Sequence, residues 1–246
     1  MKKLIYALVA CFVLGSSGLY ANSQQMRIQA ETIKTISQEI TKNYFYVQQG
    51  VQSSFAKKGL KKNILALDSS IKKLQKNAKN SETKRVIEFM FFGVDELKST
   101  IRGKFSAENG GLILDYTEVL LEGSESILSK NNKGRENMLD VVEEMEFLLE
   151  RASKYYIAFR AGYTDEVNVK QAQDAVKKFD KLLVKVRKYS YPSTVAKGPV
   201  KKLLKYWPVS KNFYLGIKNS ELPTIVFIST KHMKKALDKL VMYHKI

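Results

Sequence analysis

The chain has 246 residues, 44% of them hydrophobic, with only 4 Pro, which suits a packed helical core better than a sandwich of short strands and turns. Its single cysteine excludes an internal disulfide framework, so stability has to come from packing. Lys and Arg (42) outnumber Asp and Glu (24), and the resulting net charge of +18 favours anionic partners.

Lys2 and Lys3 precede an apolar run from Leu4 to Leu14 and a small-residue stretch ending at Ala21, the order of a secretory signal peptide. The run is shorter than the roughly 20 residues that cross a bilayer. Cleavage after Ala21 is expected, with a mature protein in the periplasm, no remaining cysteine and a net charge of +16. Leu8-Val9-Ala10-Cys11 resembles a lipoprotein cleavage box, but Phe12, Val13 and Leu14 keep the following stretch apolar and disfavour anchoring at Cys11. Export also argues against nucleic acid as the partner of so basic a surface.

Ile33, Ile36, Ile40, Tyr44 and Val47 form the first helical stripe, ended by Gly50. Leu60, Ile64, Leu67, Ile71 and Leu74 form the second. Asn77 and Asn80-Ser81 mark a turn, with Ser81 the expected N-cap of a helix carrying Val86, Met90, Val94, Leu97 and Ile101. Gly103, Asn109, Gly110 and Gly111 are expected to break the chain before a fourth stripe of Leu112, Tyr116, Val119, Leu120 and Ile127. A polar run, Lys130 to Gly134, divides the halves.

The second half opens on Val141, Met145, Leu148, Ala152, Tyr155 and Phe159, and Gly162 ends that helix. Thr164, Asp165 and Glu166 start the next, with Ala172, Val176, Phe179, Leu183 and Val186 on its stripe. Pro192 and Pro199 bracket a break, Pro199 reading as a first-turn proline. A helix bent at Pro208 and a last helix after Asn219 to Pro223 complete the chain.

The halves share one pattern at an offset of 112 positions: Lys42 with Lys154, Tyr44 with Tyr156, Gly50 with Gly162, Ile64 with Val176, Asp68 with Asp180. The expected fold is all-α, two tandem antiparallel four-helix-bundle units, with residues 1–21 a leader, 22–131 the first repeat and 132–246 the second.

In the first copy, Ser37-Gln38-Glu39-Ile40-Thr41-Lys42-Asn43-Tyr44 matches the Ser-Gln, apolar, Lys and Tyr positions of a sensor-helix motif. The chain thus resembles the N-terminal, PilJ-type sensor domain of type IV pilus methyl-accepting chemotaxis transducers, which is similar to the sensor region of nitrate-responsive histidine kinases. Thr32 and Lys34 stand where that family places arginines. The second copy keeps Arg151, Lys154 and Tyr156, with Glu146 and Glu150 in place of Lys34 and Gln38. The resemblance implies a non-enzymatic, periplasmic sensory protein that holds a small, nitrate-like anion at a helix-bundle or homodimer interface. The family's second membrane span and output domain have no counterpart here, so a membrane sensor or chemotaxis protein is the expected signalling partner.

Lys34, Ser37, Gln38 and Thr41 lie at i, i+3, i+4 and i+7, a polar strip beside the apolar stripe. Lys34, Ser37, Gln38, Thr41, Lys42, Tyr44, Arg151, Lys154 and Tyr156 are therefore the candidate ligand-binding residues. The acidic cluster Asp140, Glu143, Glu144, Glu146 and Glu150 falls in the first half of its helix, where it complements the dipole, and is expected to be solvated. The lysine pairs at 57–58, 61–62, 72–73, 201–202 and 234–235 are likewise expected on exposed faces. His232 and His244 lack metal-ligand spacing, and neither a phosphate loop nor a Ser or Cys nucleophile context is present, so no enzyme, metal or cofactor is expected. The alternative is an interaction protein whose basic helices dock on an acidic partner or an anionic envelope surface.

Overall fold

The computed structural model describes the backbone of residues 2–131, 137–191 and 194–245, and side chains from Asn22 onward except Thr194. The expected leader and Cys11 lie outside the described side chains, and Pro192 and most of the polar run after Lys130 lie outside the described residues altogether. The chain is all-α. Its helices are α1 (Lys2–Gln48), α2 (Ser53–Asn77), α3 (Ser81–Arg102), α4 (Ala107–Asn131), α5 (Met138–Arg160), α6 (Glu166–Lys188), α7 (Thr194–Leu215) and α8 (Pro223–His244). None of the described helices is long and apolar enough to cross a membrane.

Local chemistry explains most boundaries. Gly50 and Gly162 adopt φ of +69° and +101°, the left-handed region that glycine reaches at least cost, and each ends the first helix of its half. Asn137 and Asp140 form a reciprocal capping box at the start of α5, and Asp165 accepts from the Asn168 amide at 2.9 Å to cap α6. Three expectations shift. The α3 cap is Asn80, whose side chain accepts from the Thr83 amide at 2.7 Å, so Ser81 is already helical. The break before α4 is Gly103 to Ser106. Asn109, Gly110 and Gly111 lie inside the helix because Ser106 Oγ accepts from the Asn109 amide, and Gly110 leaves room for the rings of Phe45 and Tyr163. Pro199 is the sixth residue of α7 rather than a first-turn proline, so α7 forgoes the hydrogen bond that an amide there would give the Val195 carbonyl.

Helix α1 packs on α2 and α4, and α3 on both of those, closing a ring of four. The same relations hold among α5, α6, α7 and α8, and α1 against α5 joins the rings. Matching ties recur: Asp68 on α2 pairs with Lys98 on α3 at 3.0 Å, and Asp180 on α6 pairs with Lys211 on α7 while accepting from Trp207 Nε1 at 2.5 Å. The helices at the join are the most enclosed. Every residue from Phe147 to Phe159 of α5 is buried, charged ones included. A helix buried on all sides cannot send its charges to water, so they must be answered by neighbours.

Candidate functional site

The join between α1 and α5 is an ion-paired seam. Lys34 donates to Glu144 Oε2 at 2.5 Å and lies 4.4 Å over the Phe147 ring. Lys42 pairs with Glu150, whose side chain has no exposed surface. Arg27 reaches Asp140 at 2.8 Å and Glu143 at 3.4 Å. The acidic cluster of α5 is therefore not a solvated face. Over these residues it is the counter-charge of α1, and the dipole is a secondary effect.

A second node gathers four helices. The Arg151 guanidinium grips both oxygens of Glu118 on α4 at 3.1 and 3.2 Å, and also donates to Gln171 of α6 at 2.9 Å and Gln38 of α1 at 3.3 Å. Lys154 donates to the same Glu118, as does the Tyr155 hydroxyl at 3.2 Å. Burial raises the Glu118 pKa, but Lys154 and Arg151 outweigh it and bring the carboxyl down to about 2. For Lys154, fully buried, desolvation wins over Glu118 and lowers the ammonium to about 8. Ser37 and Thr41 are consumed locally. Ser37 Oγ donates to the Lys34 carbonyl at 2.9 Å and accepts from Gln38, while Thr41 and Thr117 share a hydrogen bond at 2.7 Å.

The structure thus brings Lys34, Ser37, Gln38, Thr41 and Lys42 to one seam with Arg151 and Lys154. It leaves Tyr44 and Tyr156 at separate places in their own rings. Tyr44 packs on Phe105 at 4.8 Å, and Tyr156 packs on Tyr214 at 5.9 Å and donates to the Ser220 carbonyl at 3.3 Å. Each cation of the strip already holds a tethered carboxylate, so an anion entering the seam has to displace one.

Open space lies beside the seam, where α1, α5, α2 and α8 leave a cavity of about 260 Å³. Its walls carry the rings of Tyr46, Phe55 and Phe227, with Phe227 edge-on to Tyr46 at 4.8 Å and Phe55 edge-on to Phe227 at 5.6 Å. Glu39 and Asp238 also line it, but both hold Lys234, at 3.0 and 3.1 Å, and Glu39 accepts from Asn63 at 2.9 Å. Lys62, Lys231 and Lys235 line it without an ion pair among the described residues. Lys231 stands 3.8 Å over the Phe55 ring. The hydroxyls of Tyr46 and Ser153 have no accessible surface and face each other rather than the open space, and one Glu150 oxygen is unpartnered. Gly59 shapes the wall, since a Cβ there would meet the Asn43 amide nitrogen at 2.7 Å.

Sequence reasoning missed Tyr46, Ser153, Lys62, Lys231 and the bridging Glu118. Ser153 had a signal, being the counterpart of Thr41 at the 112-residue offset. Tyr46 lies two residues from Tyr44 and off the apolar stripe, so only the enclosure of α1 on every side places it. No protein-family model, curated protein or solved structure matches the chain. The sensor-domain resemblance accordingly rests on residues 37–44 and their counterparts. Among the described residues no group of three or more His, Cys, Asp or Glu is placed to hold a metal ion. Fold and site together define an all-α protein whose two central helices meet along an ion-paired seam beside a lysine-rimmed cavity.

Proposed function

We propose that the protein is a non-enzymatic binding protein of the periplasm, a sensory accessory built from two copies of one helical unit, which takes a small anion in the cavity beside the α1–α5 seam. The observation that carries this reading is a cavity walled by aromatic rings and lined by three lysines, Lys62, Lys231 and Lys235, that have no ion pair among the described residues. Of the polar strip on α1, Lys42 is the residue this reading shares with the cavity. A signal would pass from α1 and α5 to a membrane sensor or chemotaxis protein.

Thermal melting in the presence of nitrate, nitrite, acetate and benzoate tests it. A ligand at about 100 times its Kd adds about 2.7 kcal/mol and raises the Tm of a chain this size by about 5–10 °C. The rise is expected to be saturable and to be lost in Lys62→Glu/Lys235→Glu. No shift with any of the four anions at millimolar concentration would sink the proposal.

A second reading is favoured by the charge of α7 and α8. Residues 194–245 contain eleven Lys and only Glu221 and Asp238 as acids, nine of the eighteen net charges of the chain. That face suits an acidic protein or anionic envelope surface. Co-sedimentation with envelope fractions that is released by raising salt supports this reading, and retention at high salt refutes the charge mechanism.

A further inference from the structure

We infer that the ligand of the cavity between α1, α2, α5 and α8 is a small organic carboxylate with a flat apolar body, in preference to an inorganic oxyanion. The inference rests on reading that cavity as the anion site and adds the class of anion.

Two kinds of surface line the space, and each asks for a different part of one molecule. Lys62 from α2, with Lys231 and Lys235 from α8, supplies cations that have no ion pair among the described residues. The two acids that share the lining both hold Lys234, and Lys42 is held by Glu150. Counting the lining charges together with the Glu150 that holds Lys42, five Lys against Glu39, Asp238 and Glu150 leave an excess of two positive. Between the cations, the rings of Phe55, Phe227 and Tyr46 make an aromatic wall in edge-to-face order. The hydroxyls of Tyr46 and Ser153 lie closed off behind this wall, facing each other.

A nitrate ion would use the lysines and leave the aromatic wall against water. A carboxylate on a ring uses both, because the ring stacks on or meets edge-on the faces that Phe55 and Phe227 present. Size sets the limit. The cavity of about 260 Å³ equals roughly nine water volumes at ~30 Å³ each and falls just under the ~300 Å³ at which drug-sized sites begin, so one ring or a short chain fits. Phe55, 46% exposed and covered by the Lys231 ammonium, sits where such a ligand would enter. The ammonium holds a ring face in the absence of an anion and has a stronger partner once a carboxylate arrives.

Calorimetric titration of the full chain with benzoate, benzamide, acetate and nitrate in one buffer tests the class. Benzoate is expected to bind about tenfold or more tighter than each of the other three. Lys62→Met and Lys235→Met, both on exposed positions of folded helices, should each weaken benzoate severalfold. If acetate or nitrate binds as tightly as benzoate, the apolar-body inference is overturned while the anion site stands. If benzamide equals benzoate, the carboxylate requirement is overturned. If none of the four binds, this inference and the functional reading beneath it both fail.

Discussion

Glu31 illustrates how far a single carboxyl in the seam departs from its behaviour in water. Burial, with Glu143 and Glu144 adding repulsion against the pull of Lys34 and Arg27, raises its pKa from 4.5 to about 7. Glu118 moves the other way, to about 2, because Lys154 and Arg151 outweigh its burial. The consequences for stability have opposite signs. Glu118 contributes stability above pH 4.5 that is lost as pH falls toward 2. Glu31 keeps its proton in the folded state through the range from 4.5 to 7 in which the unfolded chain releases it, so its contribution worsens as pH rises through that window. Glu31→Gln is therefore expected to be more stable than the parent by about 1–3 kcal/mol at pH 8, with the gain gone at pH 4. Urea unfolding at the two pH values measures this, and equal stability at pH 8 contradicts the raised pKa.

Between elements, the α1–α5 seam is held by opposite charges more than 100 positions apart in sequence, Lys34 with Glu144 and Lys42 with Glu150. The Lys42–Glu150 pair is the test of the seam, since Glu150 is wholly enclosed and burial already raises its pKa against the pull of Lys42. Lys42→Ala leaves that carboxyl without its cation and is expected to cost about 3–5 kcal/mol, whereas Lys42→Met/Glu150→Leu recovers most of the loss. Denaturant midpoints of the three chains decide it, and a single substitution that costs no more than the double one contradicts the assignment. The distance in sequence also marks what was legible. Apolar stripes and the terminating Gly50 and Gly162 are local signals, each readable within one or two helical turns, and the stripes mark α1 to α6. Caps displaced by a residue at Asn80, or a glycine pair absorbed into α4, depend on which side chain turns back, a choice that neighbouring packing makes. The acids of α5 looked solvated because periodicity reports that a face is polar without reporting what meets it. The cavity was illegible for the same reason: Tyr46, Ser153 and the α8 residues Phe227 and Lys231 come from three helices, and only the last two, four positions apart, share a helical spacing. The polar strip lies at the α1–α5 join, and at Lys42 it touches the edge of the cavity.

At the scale of the whole molecule, the excess positive charge and the helical rings divide the work. The rings fix α1 against α5, α4 answers the cations on one flank through Glu118, and α2 with α8 leaves the other flank open around Lys62, Lys231 and Lys235. The basic surface draws anions toward the chain, and the open flank is where one meets apolar walls together with cations that have no ion pair among the described residues. The most direct measurement is fluorine NMR of 3-fluorotyrosine-labelled protein, with the Tyr46 resonance assigned through Tyr46→Phe. On titration with benzoate, Tyr46 is expected to shift saturably, with the same midpoint as the rise in Tm, while Tyr191, packed beside Tyr243 and His244, stays in place. Saturable thermal stabilisation with an unmoved Tyr46 resonance would contradict the cavity as the binding site.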